Sequence, residues 1–140
     1  SELQANLSAV MRDVPGSDNG KALWEHEWTR HGTCGEHMWR NEAEYFEYSL
    51  RLYHYYLPAI VDLPVGMPLS LTSVAAHIYH RTGAKPYISC LGINELDEIR
   101  FCFDDRSGAA TDCEARTEDL AAYGTNCNMN GLYLLKPVMP

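Results

Sequence analysis

The five cysteines constrain the fold of this chain more than any other feature of its sequence. They are separated by 56, 12, 11 and 14 residues, and stand at Cys34, Cys90, Cys102, Cys113 and Cys127. None of these intervals is the C-x-x-C spacing of zinc ribbons or thiol redox motifs. Intervals of this length suit disulfides, which persist in oxidising compartments. Since five is odd, one thiol either stays free, for example as a small buried apolar side chain, or pairs outside the chain.

The length and composition describe an ordinary globular chain that associates with no membrane. Its 140 residues, 46% hydrophobic and 21% charged, suffice for one core and are too few for two. No apolar run approaches the roughly 20 residues of a membrane-spanning helix, and the first residues do not resemble a signal peptide, so we expect a mature or processed chain. The formal charge of −8 excludes a basic nucleic-acid platform. Any nucleic acid must therefore be bound at a local site.

Helical periodicity comes first along the chain and strand periodicity follows it. Asn41 and Glu44 form a capping-box-like helix start, Pro58 is expected to end that helix, and Gly83 to end the next. The predicted helices span 3–12, 41–58 and about 70–83, and the predicted strands 87–91, 96–103 and 132–135. Residues 15–20 predict a loop. This order indicates an α+β fold in which helices pack on an antiparallel sheet.

The segment 24–34, with the sequence W-E-H-E-W-T-R-H-G-T-C, concentrates the reactive side chains. Its H-E-x-x-x-H spacing places His26 and His31 about 140° apart on a helix, so we expect no zinc-hydrolase site and no metal. A nucleophilic Cys34 is disfavoured because the other cysteines indicate an oxidised chain.

Acid–base chemistry on a phosphate is the third interpretation of the same segment. Glu27 and His31 are four residues apart and share a helical face, and Arg30 can hold an anionic oxygen. Gly32 is expected to end the helix, which places this face at the carboxyl end, where a cationic histidine is favoured. The alternative is a polar helix end whose charges merely pair.

Residues 24–34 resemble the second active-site segment of the ribonuclease T2 family, W-x-H-E-W-x-K-H-G-T-C, at ten of eleven positions. The resemblance continues through Tyr45-Phe46 with Leu50 and Leu52, Pro86–Cys90, Glu98–Cys102 and Lys136-Pro137. It implies an α+β fold and an acid-type endoribonuclease that cleaves single-stranded RNA by transesterification. The products are a 2′,3′-cyclic phosphate and then a 3′-phosphate, and the reaction needs no cofactor.

The resemblance also implies roles for individual residues. His31 is the general base, Glu27 and Arg30 stabilise the pentacoordinate phosphate, and His26 contacts phosphate. Arg30 replaces the lysine usual in the family, so a planar fork takes the place of a compact ammonium. Further substrate contacts are expected from Trp24 in the motif and from Pro15, Ser17 and Leu23, which align loosely with a base-binding region.

The first active-site segment of the family, H-G-L-W-P, does not occur in these 140 residues. We therefore expect residues 1–140 to be the carboxyl-terminal part of a single T2-like domain, in a nicked or two-chain enzyme or as a fragment. A catalytically inactive T2-like structural or signalling protein is the alternative. The remaining histidines are expected to be ordinary surface or core residues; they are His37, His54, His77 and His80.

The resemblance assigns the cysteines and the compartment as well. It implies nested disulfides, Cys90 with Cys127 and Cys102 with Cys113, and leaves Cys34 to pair with the amino-terminal fragment or chain. A secreted or endolysosomal (vacuolar) location follows, and the Asn6-Leu7-Ser8 glycosylation sequon is compatible with it. Protonation of all six histidines would raise the formal charge from −8 to −2, so RNA would be repelled less in acid.

Overall fold

A computed structural model of the chain describes residues 1–11, 20–92, 94–113, 127 and 131–134. Two compact units are present, Ser1–Tyr56 and Leu57–Pro140. Among the described residues, no helix combines the length and the apolarity needed to cross a membrane. The predicted loop 15–20 lies outside the described residues except for Gly20, as do Pro15 and Ser17.

The first unit is helical. Its elements are α1 (Glu2–Val10), α2 (Lys21–Arg30), a 3₁₀ segment (Gly32–Gly35) and most of α3 (Glu42–Val61). Ser1 caps α1 through a reciprocal capping box with Gln4, so this helix begins slightly earlier than the predicted residue 3. It ends at Val10 rather than at residue 12. The core of the unit is formed by apolar side chains from all three α-helices: Leu7, Trp24, Phe46 and Leu50.

Helix α3 passes through Pro58 and ends at Val61, so the prediction that Pro58 ends it is wrong. The backbone bond from the Asp62 N–H to the Pro58 carbonyl continues the ladder at 3.2 Å. Buried Ala59 and partly buried Ile60 follow the proline, so packing of the last turn outweighs the proline's local cost. At the other end, the Asn41 side chain accepts the Glu44 N–H at 3.0 Å, as predicted, whereas the Glu44 carboxylate accepts the Arg40 N–H rather than that of Asn41.

In the second unit, helix α4 (Leu71–Thr82) has the predicted boundaries. Ser70 caps it by accepting the Ser73 N–H, and Gly83 ends it in the left-handed region at φ 76°. The buried face of α4 packs into a core with strand residues, formed by Leu63, Leu71, Val74, Ala75, Ile78, Ile88, Cys90, Cys127 and Tyr133.

The described strands form antiparallel pairs, as predicted for the fold class. Strand β2 (Tyr87–Leu91) has the predicted bounds and pairs with β3 (Glu95–Arg100), with a register shift between Ser89 and Cys90. The predicted strand 96–103 is divided at Phe101, where β3 ends and β4 begins. The remaining pairs are β4 (Cys102–Phe103) with β5 (Ala110–Thr111) and β1 (Leu69–Ser70) with β6 (Leu132–Tyr133). Leu134 forms an isolated parallel bridge with Glu95, and the end of the predicted strand 132–135 lies outside the described residues.

Two disulfides tie strands of the second unit to residues outside the strands. Cys90 on β2 is bonded to Cys127, and Cys102 on β4 to Cys113. These are the two pairs that the resemblance implies. The Cys102–Cys113 pair closes the β4–β5 hairpin, in which the Asp104 carboxylate accepts the N–H groups of Arg106 and Ser107 at 3.1 and 2.7 Å.

Candidate active site

Two histidines and a carboxylate meet at the carboxyl end of α2. Ligand atoms of His26, Glu27 and His31 lie within 4.8 Å of one another, and the two imidazole rings stand edge to face with centroids 6.1 Å apart. Both histidines are exposed and Glu27 is half-buried. Two imidazoles and a carboxylate at this separation can bind one phosphate group and exchange protons with it.

The predicted divergence of His26 and His31 is wrong. It assumed that both residues belong to one helix, whereas α2 ends at Arg30 and His31 has φ −123° and ψ −45°. The His31 N–H still donates to the Glu27 carbonyl at 3.0 Å, but the side chain leaves the helical direction and approaches His26. The three side chains therefore also have the composition of a metal-ligand set, which helical spacing alone argued against.

Helix α2 ends at Arg30, two residues before the predicted end at Gly32, and from Gly32 the backbone continues as the 3₁₀ segment. Gly32 is buried against the indole of Trp28, and a Cβ on Gly32 would lie 2.9 Å from Trp28 Cζ3 and nearer still to Cε3. The Cys34 N–H donates to the His31 carbonyl at 3.1 Å. Glycine at position 32 is thus required by the close approach of the Trp28 ring, which holds the turn beside His31.

An aromatic cluster packs behind this turn. The Tyr45 ring lies 5.8 Å from Trp28 and 5.1 Å from Trp39, and Trp39 Nε1 donates to the Gly32 carbonyl at 2.6 Å. Burial, and then the negative charge of Glu27, raise the pKa of the Tyr45 hydroxyl, so this phenol stays neutral beside the site. Sequence reasoning missed Trp39. The signal available for it was a tryptophan placed shortly after two glycines of a turn.

Other residues predicted from the sequence occupy different environments. Arg30 is exposed at the last position of α2, one residue from His31. Trp24 is buried in the core of the first unit, with its Nε1 donating to the Met11 carbonyl at 3.1 Å, which assigns it to packing in this structure. Leu23 is half-buried against the same core. Pro15 and Ser17, the remaining substrate-binding candidates, lie outside the described residues.

Cys34 and Asn6 are both accessible. The Cys34 thiol is unpaired and exposed, and its Sγ lies 3.7 Å from the Arg30 carbonyl oxygen. Asn6 is exposed on α1 and lines a groove of about 360 Å³ formed with α3 residues such as Glu47 and Arg51. The other four histidines lie on neighbouring or remote elements: His37 after the 3₁₀ segment, His54 on α3, and His77 and His80 on α4.

The sequence and the fold of this chain were compared with those of known proteins. The Ribonuclease T2 family model matches residues 1–113. Ribonuclease 1 of Arabidopsis thaliana is 32% identical over 106 residues, which cover 69% of this chain and 46% of that protein. Extracellular ribonuclease LE of Solanum lycopersicum is 30% identical over 131 residues, covering 81% and 55% respectively. The solved S3-RNase of Japanese pear superposes with a TM-score of 0.76 at 26% identity, over 94% of this chain and 71% of that chain. The chain thus spans about half the length of these two curated relatives.

Proposed function

The chain belongs to the ribonuclease T2 family, and we propose that it is the carboxyl-terminal part of an acid-type endoribonuclease that cleaves single-stranded RNA. The observation that carries this proposal is the convergence of His26, Glu27 and His31 at the end of α2, with Arg30 beside them. The named relatives are ribonucleases, which supports the same activity class.

His31 is the general base of the proposed reaction. Its imidazole removes the proton of the ribose 2′-hydroxyl, and the 2′-oxygen attacks the adjacent phosphorus. Negative charge then develops on the non-bridging oxygens, where Arg30 and His26 supply positive charge and hydrogen bonds. Glu27 acts with Arg30 in stabilising the pentacoordinate phosphate.

Cleavage of the bond between phosphorus and the 5′-oxygen completes the first step. The leaving oxygen takes a proton from a second histidine, and the product is a 2′,3′-cyclic phosphate that water later opens to a 3′-phosphate. We place this second histidine on an amino-terminal segment of the H-G-L-W-P type, joined through the exposed thiol of Cys34. The nicked or two-chain arrangement is part of the proposal.

An acidic, secreted or endolysosomal setting is also proposed. Protonation of the six histidines would bring the formal charge from −8 to −2, which reduces repulsion of RNA. Exposed Asn6 is the proposed glycan site, and removal of N-glycans by an amidase would lower the mass of the natural protein. A rate that rises steadily above pH 8 would contradict the acid-type assignment.

The test uses the chain with and without its amino-terminal segment on a single-stranded oligoribonucleotide, with phosphorus NMR to detect the cyclic phosphate. The chain alone should show little turnover, and His31→Asn in the complete protein should lower kcat on the order of 10²–10⁴-fold. His54→Asn, which changes an exposed histidine on α3, is the control and should leave kcat unchanged. Full activity of the isolated chain would refute the two-part proposal. No activity in the complete protein would favour an inactive T2-like binding protein.

A further inference from the structure

The turn that follows His31 is held between two indoles. The Trp28 ring covers Gly32, and the Trp39 ring covers Gly35 so closely that a Cβ there would lie 2.7 Å from Trp39 Cη2. Both glycines are buried. The turn therefore fits between the Trp28 ring of α2 and the Trp39 ring, which precedes α3, and its position depends on both of them.

Trp39 adds a polar contact that Trp28 does not make. Its Nε1 donates to the Gly32 carbonyl at 2.6 Å, which supplies a buried backbone oxygen with a hydrogen bond. The Trp39 indole itself packs against two other rings, since the ring centroids of Tyr45 and Tyr48 lie 5.1 and 5.7 Å from its own. The ion pair and backbone contact between Arg40 and Glu44 then fix the chain immediately after it.

His31 needs such support because it lies outside α2. A histidine within a helix takes its direction from the helical hydrogen-bond ladder. His31, at φ −123°, leaves the helical path, although its N–H still donates to the Glu27 carbonyl and its own carbonyl accepts the Cys34 N–H. The next carbonyl along the chain is the one that Trp39 binds.

We propose that Trp39 is a positioning residue for His31, which holds the imidazole beside His26 and Glu27 by fixing the Gly32 carbonyl. Trp39 lies outside the segment 24–34 that carries the reactive side chains. Its importance for catalysis rests on the proposed function, although its effect on the His31 imidazole does not.

The experiment records the histidine ring protons of the natural, complete protein by NMR, with the His31 signals assigned from their loss in His31→Asn. Trp39→Phe keeps a ring and removes the N–H donor, and should shift the His31 ring signals while the His54 signals stay unchanged. Trp24→Phe is the matched control, because it also removes one indole-to-carbonyl hydrogen bond in the first unit, the one to Met11. It should leave the His31 signals in place.

Gly35→Ala provides a second route, since the added methyl group displaces the Trp39 ring and leaves its N–H intact. Both variants should lower kcat about ten-fold with KM within two-fold, since a group misplaced by a fraction of an ångström loses rate more than binding. Unshifted His31 signals in Trp39→Phe and Gly35→Ala, or an equal shift in Trp24→Phe, would overturn the proposal even if stability falls. A complete protein without ribonuclease activity but with shifted His31 signals would refute the proposed function alone.

Discussion

At Gly32 the chain has no room for a side chain. The residue is buried beneath Trp28, and its backbone is in no conformation that requires glycine, so the constraint is purely one of space. Gly83 presents the opposite case, with φ 76° and open space around the Cβ position. Steric crowding is therefore the constraint at Gly32, and backbone conformation is the constraint at Gly83.

We expect Gly32→Ala to lower the free energy of unfolding by about 2–3 kcal/mol, since the methyl group must displace a packed indole. Gly83→Ala should cost about 1 kcal/mol, through backbone strain alone. Urea unfolding measures both values, and near-ultraviolet circular dichroism should change in Gly32→Ala because Trp28 moves. An unfolding free energy for Gly32→Ala equal to or above that of Gly83→Ala would contradict the packing described for the turn.

The single side chain of Glu44 contributes to the stability of the start of α3. The hydrogen bond and charge of Arg40 hold the pKa of the Glu44 carboxyl below its usual value of 4.5. A carboxyl with a lowered folded-state pKa contributes stability above its ordinary pKa and loses that contribution as the pH falls through the folded value. Both side chains reach solvent, so the effect is modest.

We expect the free energy of unfolding of the natural protein to fall more steeply below pH 4.5 than that of Glu44→Gln. Denaturant titrations between about pH 3 and pH 7 measure the two slopes. Glu47→Gln, which removes an exposed carboxylate from the same helix, controls for the change in net charge. Parallel curves for Glu44→Gln and the natural protein would show that the ion pair does not stabilise the start of α3.

Pro58 lies within α3 and has no N–H to donate to the carbonyl of His54, four residues earlier. Because Pro58 is exposed, Pro58→Ala opens no cavity, and it should raise the free energy of unfolding by about 2 kcal/mol. Pro64→Ala, at an exposed position outside the helix, should bring no gain. Urea unfolding of both variants decides the point. A loss of stability in Pro58→Ala would mean that the proline suits its site better than the helical ladder does.

Local sequence signals predicted the elements whose ends are set by a capping side chain or a left-handed glycine. Ser70 and Gly83 set the bounds of α4 because a side-chain cap and a left-handed glycine act within one turn of the chain. The prediction failed where tertiary packing decides, as at Pro58. It failed at His31 for a related reason: the helical wheel assumed one helix, whereas the chain leaves α2 there and packs its turn against Trp39, a contact that no spacing within residues 24–34 encodes.

At the scale of the whole molecule, the two disulfides restrain the unfolded chain to different extents. Cys90 and Cys127 are 37 residues apart and both are buried in the core of the second unit, whereas Cys102 and Cys113 are 11 apart in a hairpin. The loop-closure estimate is about 4 kcal/mol for the longer loop and about 3 kcal/mol for the shorter one. The buried pair also loses packing when its sulfur atoms are removed.

We therefore expect Cys90→Ala/Cys127→Ala to lower the free energy of unfolding by more than Cys102→Ala/Cys113→Ala does. In the shorter hairpin, hydrogen bonds from Ser107 and Arg106 hold the pKa of the Asp104 carboxyl below its usual value, and removing this disulfide leaves those bonds in place. Urea unfolding near pH 7 gives the comparison, with Cys34→Ser in every protein, the reference included, to prevent thiol exchange. A larger loss for the Cys102–Cys113 pair would show that the hairpin, rather than the buried core, limits the stability of the second unit.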